Sequence, residues 1–174
     1  MCSSDLAAIL DDDPVMVLEP LKGYRLVKDE VPDERYHVPL GKARIVRDGS
    51  DVTVIAWSAA TVMVQQAADQ LASMGIEAEV VDLRSLNPLD VETIAASVCK
   101  TGRAVVVQEA PFTGGFGSEI SATITEECFY DLQAPVLRIT APDTPYPLGG
   151  VEDLYVPDAE RVVAEVAALM QVAP

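Results

Sequence analysis

Glu109 follows a run of apolar residues, Ala104–Val107, and precedes Ala110-Pro111 and the glycines Gly114, Gly115 and Gly117. A carboxylate at the carboxyl end of a buried strand is placed to act as a general base, and backbone amides at a helix start attract anions. Neither chemistry is complete here. The dinucleotide spacing Gly-x-Gly-x-x-Gly fails, because Ile120 stands where the third glycine belongs after Gly115 and Gly117. No phosphate loop ending in Gly-Lys-Ser/Thr occurs. Glu109 has no second titrating group paired with it in sequence, so a structural hydrogen-bonding role fits it equally well. The glycines read as backbone that passes close to a neighbouring strand or subunit.

The remaining reactive side chains point the same way. His37 is the single histidine and lies in Arg35-Tyr-His-Val-Pro39, without an Asp, Ser or Cys pattern around it. One histidine and three scattered cysteines, Cys2, Cys99 and Cys128, argue against a transition-metal site and a disulfide framework. Cys99 and Cys128 fall among apolar helical neighbours and read as small buried hydrophobes in a reducing compartment. No Gly-x-Ser-x-Gly elbow supports a catalytic triad. Asp82-Leu-Arg84 reads as an ion pair orienting strand ends. Asp143-Thr-Pro-Tyr-Pro147 reads as a rigid loop suited to a fixed contact surface.

Charge narrows the partners. The chain has 174 residues and a formal charge of −16, from 28 acidic and 12 basic side chains. That balance argues against nucleic acid, whose phosphates demand basic patches; it serves solubility or, as the sharper alternative, draws in a basic protein partner at long range. Nearly half the residues are apolar, so a folded core is expected. Charges interrupt every apolar run well short of the ~18 residues of a membrane span, and no secretory signal is visible in Met1-Cys-Ser-Ser-Asp-Leu6.

The elements that must position these residues follow from periodicity. Up to Pro39 there is one short strand pattern, Val15–Leu18, then a polar linker, Lys28–Arg35. Ala43–Arg47 and Val52–Trp57 flank Asp48-Gly-Ser-Asp51, a hairpin signal in which Asp-Gly supplies the positive φ of a tight turn. Helices are expected over 61–74, closed by Gly75, from Asp90 towards Cys99, from Ser118 to about Leu132, and after Asp158. Strands are expected over 78–83, 104–107 and 136–140. Alternation of short apolar strands with helices predicts an α/β fold: a three-layer α/β/α domain with a five-stranded mixed, mainly parallel sheet over 40–174.

Eight segments stand in order at family-like spacing: Gly41-Lys-Ala, Gly49-Ser-Asp-Val-Thr-Val, Val81-Asp-Leu-Arg-Ser-Leu-Asn-Pro-Leu-Asp90, Lys100-Thr-Gly-Arg103, Glu109-Ala-Pro, Thr113-Gly-Gly-Phe116, Ala134-Pro135 and Asp143-Thr-Pro145. Together, over residues 13 to 171, they resemble the carboxyl-terminal, transketolase-like domain of the β subunit of thiamine-diphosphate-dependent 2-oxo acid dehydrogenase E1 components. Val54-Ile-Ala-Trp57, Glu126-Glu-Cys-Phe129 and Leu18-Glu-Pro with Tyr24-Arg25 lean toward the branched-chain type over the pyruvate type.

The resemblance implies an α2β2 enzyme that decarboxylates a 2-oxo acid on thiamine diphosphate and Mg²⁺ and passes the acyl group to lipoyl-E2. It further implies that this chain carries no catalytic, cofactor-binding or metal-binding residue, since those groups lie on the E1 α subunit and on the preceding β domain. Residues 1–39 then comprise an unrelated start, the last strand of that preceding domain and a linker, as in a truncated gene. The expected roles are contact with the α subunit and a second β subunit, and docking of the E2 acyltransferase. Candidate interface residues are Glu109, Gly114, Gly115, Phe116, Gln133, Leu137, Asp143, Glu152, Asp153 and Asp158. A cytoplasmic setting is implied in bacteria and the mitochondrial matrix in eukaryotes. The alternatives are an independent acidic interaction module, or the last domain of a transketolase or deoxyxylulose-phosphate synthase.

Overall fold

A computed structural model describes residues 3–20, 30, 33–34, 36–147 and 149–171, apart from the side chains of residues 3, 4 and 153. Tyr24, Arg25 and most of the 28–35 linker lie outside the described residues. Strands β1 (Arg44–Arg47), β2 (Val52–Ala56), β3 (Ala78–Asp82), β4 (Ala104–Pro111) and β5 (Leu137–Ala141) form one sheet in the order β1-β3-β2-β4-β5. All pairings are parallel except β1 with β3. The helices are α1 (Ser3–Ile9), α2 (Ala59–Ser73), α3 (Val91–Thr101), α4 (Gly117–Cys128) and α5 (Ala159–Met170).

Strand alternation builds the layers. Val52, Val54 and Ala56 of β2 pack with Val64, Ala67 and Leu71 of α2 and Val162 and Val166 of α5. Ile55 faces the other way, with Ile94 and Val98 of α3 and Ile120 and Ile124 of α4. Both faces of β2 are therefore covered, as a central parallel strand requires. Each fully buried Val or Ile here is worth about 1.5–3 kcal/mol of apolar burial. The expected three-layer α/β fold with five strands is the one observed.

Two expectations fail. First, β1 and β2 are not a hairpin. β1 pairs antiparallel with β3, with Arg44 opposite Asp82 and Ile45 opposite Val81. Strand β2 is completely buried and has both edges taken by β3 and β4, whereas β1 is half exposed. The Asp48–Asp51 link instead crosses the start of β3: the Ser50 and Asp51 amides donate to the Glu77 carbonyl, and Asp51 Oδ2 accepts from the Glu77 amide at 2.7 Å. Gly49 is required for close approach and not for a positive φ, because a Cβ there would sit 2.2 Å from the Glu79 nitrogen.

Second, Val15–Leu18 is no strand. No described strand pairs with it, and Met16 and Leu18 are 84 % and 80 % exposed. An extended segment without a neighbour leaves its backbone polar groups to water and gains no ladder.

The expected caps form, although α4 stops at Cys128, short of the expected Leu132. Asp90 caps α3 by accepting from the Thr93 amide, and Asp158 caps α5 by accepting from the Arg161 amide at 2.7 Å. Gly75 (φ 81°) closes α2 as expected, and Gly102 (φ 70°), outside the sequence expectations, closes α3 in the same left-handed conformation.

Candidate functional site

Sheet order reverses between β2 and β4: α2 leaves β2 over one face and α4 leaves β4 over the other. The crevice outside these carboxyl ends is where ligands sit in open α/β sheets. Here a buried side chain of the protein occupies the space under the glycine turn, beside an open groove lined by Leu86, Leu89, Gly114, Gly115, Phe116 and Glu119. Gln108, 1 % exposed, lies under the glycine turn. Its Oε1 accepts from the Gly117 amide at 2.7 Å, and its Nε2 donates to the Pro111 carbonyl at 2.9 Å and the Ala110 carbonyl at 3.3 Å. A Cβ on Gly115 would lie 2.0 Å from Gln108 Nε2, and one on Gly117 2.8 Å from Oε1. Gly115 and Gly117 thus serve close approach, to this side chain and not to a phosphate, whereas Gly114 supplies a positive φ of 75°. The amide at the helix start that would hold an anion is already taken. At the mouth of the crevice, Trp57 and Phe116 meet edge to face, 6.3 Å between centroids.

The turn is held from outside as well. Asp143, after β5, accepts from the Thr113 amide at 2.8 Å and from its hydroxyl at 2.7 Å. These two bonds hold the exposed carboxyl below its ordinary range. Arg138 of β5 donates to Ser118 Oγ at 2.6 Å and to the Phe112 carbonyl at 3.2 Å, with its guanidinium 3.7 Å from the Phe112 ring centroid. The Thr113-Gly-Gly-Phe and Asp143-Thr-Pro segments, thirty residues apart, are therefore one structural unit. Glu109 points out of it, exposed and in no hydrogen bond among the described residues.

Asp82 and Arg84 meet as expected, in part. Asp82 Oδ1 accepts from the Arg84 amide at 3.3 Å and from the Thr61 hydroxyl at 3.4 Å. Burial nevertheless pushes the Asp82 carboxyl up, against these bonds and the Arg84 and Arg44 charges. Ser58 (φ 59°) and Arg84 (φ 57°), just beyond β2 and β3, are left-handed non-glycine residues, a strain of roughly 1 kcal/mol each.

The candidate interface residues do not form one patch. Glu109, Gly114, Gly115, Phe116 and Asp143 gather at the carboxyl edge of the sheet. Glu152 opens a 3₁₀ turn and Asp158 caps α5; both lie on the segment tied to that edge by the Tyr155 hydroxyl, which donates to the Thr144 carbonyl at 3.1 Å. The Asp153 side chain is outside the described residues. Gln133 and Leu137 sit at the opposite, amino end of the strands. Gln133 folds over Gly102 and accepts from Arg103 at 2.6 Å, while Leu137 packs partly buried against the core. His37 is exposed.

A polar seam is not legible in the sequence. Glu79 is fully buried between β3 and α3, bonded to the Lys100 ammonium and the Ser97 hydroxyl, and accepts from the Gly49 amide at 3.4 Å. Beside it, the Thr53 hydroxyl meets Thr101 Oγ1 at 2.8 Å and the Ser97 carbonyl at 3.0 Å. The signal was weak: polar residues at core-facing positions of β2 and β3, each easily mistaken for a solvent face. The reading of Cys99 and Cys128 as two unrelated buried hydrophobes is half wrong. Cys128 is buried and Cys99 exposed, and their sulfurs lie 3.1 Å apart.

The described residues offer no ligand cluster for the Mg²⁺ that accompanies thiamine diphosphate. They contain no group of three or more His, Cys, Asp or Glu side chains that could hold a metal ion. The one glycine-rich helix start is occupied by Gln108.

The geometry defines a three-layer α/β domain whose glycine turn is held by its own side chains, Gln108 from beneath and Asp143 from outside. The family model "Transketolase, C-terminal domain" matches residues 41–162, more than half of the chain, and the chain belongs to that family. It is 50 % identical over 154 residues to the mitochondrial 2-oxoisovalerate dehydrogenase subunit beta of Dictyostelium discoideum, covering 88 % of this chain and 41 % of the relative. It is 46 % identical over 158 residues to the pyruvate dehydrogenase E1 component subunit beta of Bacillus subtilis, covering 91 % and 49 %. A solved structure described as a split gene transketolase, inactive beta4 tetramer, superposes with a TM-score of 0.67 at 30 % identity, over 85 % of this chain and 47 % of that one. The chain spans about half the length, or less, of these relatives. The expected resemblance to E1 β subunits is thereby shown.

Proposed function

We propose that the chain serves as the carboxyl-terminal domain of an E1 β subunit in a thiamine-diphosphate-dependent 2-oxo acid dehydrogenase, acting on a branched-chain 2-oxo acid or pyruvate. Its part is assembly with the E1 α subunit and a second β subunit, and docking of the E2 acyltransferase. Residues 40–174 form the domain. Thiamine diphosphate and Mg²⁺ are held elsewhere in the whole enzyme, in the cytoplasm of a bacterium or the matrix of a mitochondrion. The carrying observation is the similarity to E1 β subunits along nearly the whole chain.

Docking of a basic partner uses the acidic carboxyl edge, with Glu109, Asp143, Glu152 and Asp158 as candidate contacts. The test is titration calorimetry of the chain against an E2 fragment containing its subunit-binding domain. Binding that weakens as salt rises from about 0.05 to 0.3 M, and that Glu109→Lys with Glu152→Lys weakens further, is expected. Binding indifferent to salt and to both reversals overturns docking at this edge. Decarboxylation of a 2-oxo acid by the chain alone, with added cofactor, overturns the non-catalytic role.

A further inference from the structure

We propose that Cys99 and Cys128 form a reversible oxidation site, in which the two thiols close to an intramolecular disulfide that staples α3 to α4. Three observations carry this. The sulfurs lie 3.1 Å apart although the residues are separated by 29 positions in sequence. A disulfide needs a separation of ~2.04 Å, so about 1 Å of approach suffices. The two thiols also differ in access: Cys99 is exposed on α3, while Cys128, on α4, is fully buried. Finally, the Cys128 sulfur is held in place by the Ala95 carbonyl, which accepts from it at 3.6 Å.

The exposure assigns the order of steps with hydrogen peroxide as oxidant. The Cys99 sulfur attacks a peroxide oxygen, the O–O bond breaks, and sulfenic acid and one water form. The Cys128 sulfur then attacks the Cys99 sulfur; the S–S bond forms, the S–O bond breaks, and the hydroxyl leaves as water with the Cys128 proton. Two thiols lose two electrons to one peroxide, which yields two waters. A dithiol reductant reverses the reaction.

The site is guarded by its charge environment. The hydrogen bond to Cys128, desolvation, and the hydrogen bond and charge of Asp131 push the Cys99 thiol up to about 12. Cys128 from α4 and Asp131 beyond it are the titratable groups acting on it. Only the thiolate attacks, so reaction is slow at neutral pH and gains about tenfold per pH unit.

The test uses the full chain carrying Cys2→Ser, which removes the third thiol. After peroxide, thiols are counted under denaturing conditions and peptides are mapped by mass. Both thiols should disappear together, with a Cys99–Cys128 cross-linked peptide lighter by two hydrogens and restored by dithiothreitol. The rate should be roughly 100-fold higher at pH 9 than at pH 7. With Cys128→Ser, dimedone should label Cys99 alone. Cys99 driven to sulfinic or sulfonic acid while the Cys128 thiol survives overturns the proposal. So do disulfide dimers in place of the internal bridge, and two intact thiols after prolonged peroxide at pH 9.

Discussion

Gly115→Ala should cost stability mainly through one side chain, Gln108. The added Cβ would meet Gln108 Nε2 at 2.0 Å and the Pro111 carbonyl at 2.6 Å. Overpacking of this kind costs about 1–3 kcal/mol. Because Gly115 does not sit at positive φ, alanine regains about 0.4–1 kcal/mol by restricting the unfolded chain. A net loss of about 1–2 kcal/mol follows. Gln108→Ala alone strips the buried Gly117 amide of its acceptor, at about 1–3 kcal/mol. In the double variant the clash with the amide is gone while that with Pro111 remains, so the two losses should fall short of additivity by about 1 kcal/mol. Urea unfolding followed by circular dichroism reads each term from the midpoint at constant slope. Gly114→Ala is the control: φ is 75° with nothing within 4 Å, so its cost is backbone strain and should add to Gln108→Ala without coupling. Additivity of Gly115→Ala and Gln108→Ala within ~0.3–0.5 kcal/mol would refute the packing argument.

Two further substitutions probe the helix cap and the outer clasp. Asp90→Ala removes the α3 cap and the acceptor of the Ala43 amide at 2.9 Å, and should cost about 1–2 kcal/mol at pH 7. Burial raises the Asp90 carboxyl, but the bonds from Thr93 and Ala43 and the Lys42 charge outweigh it and leave the group below its ordinary range. A depressed folded value means the contribution is present above the unfolded value near ~3.9 and is lost as pH falls through the folded one. The gap between parent and variant should therefore narrow only in acid, below about pH 4; a gap already closed at pH 6 contradicts this. Asp143→Ala should leave overall unfolding nearly unchanged while hydrogen exchange quickens at the Thr113 amide and its glycine neighbours. Unchanged exchange there would mean that Arg138 alone holds the turn.

Much of this fold was legible because its signals are local. Asp90, Asp158 and Gly75 act within one helix end, and the alternation of apolar strands and helices repeats along the chain. The mistaken hairpin was a question of competition. Asp48-Gly49 permits a turn, but a turn signal says nothing of which strand wins the edges of β2, and burial on both faces gave those to β3 and β4. The site was legible only as a place. Glycines before α4 announced close approach, yet the approaching group, Gln108, lies in the preceding strand and continues its apolar run with one polar residue. Glu109 attracted attention because it is charged, whereas the side chain that organises the corner is its uncharged neighbour. The sulfur pair was invisible for the same reason as the Glu79 seam: both join elements that meet only across the folded layer.

The net charge gains meaning once the basic residues are located. Four of the twelve, Lys22, Arg25, Lys28 and Arg35, fall outside the described residues. Six of the other eight are engaged within the domain: Lys42 with Asp90, Arg47 with Asp69, Lys100 with Glu79, Arg103 with Gln133, Arg138 with Ser118, and Arg161 with Glu165. Cations here join elements within the domain, and the chain's 28 acidic side chains outnumber its 12 basic ones. A surface so composed repels acidic partners and draws basic ones over about a Debye length, ~8 Å at physiological salt. The two populations should therefore separate by experiment. Neutralising Lys100 leaves the buried Glu79 charge uncompensated and should act on stability, whereas reversing exposed acids such as Glu109 should act on association rates and their salt dependence with the fold intact.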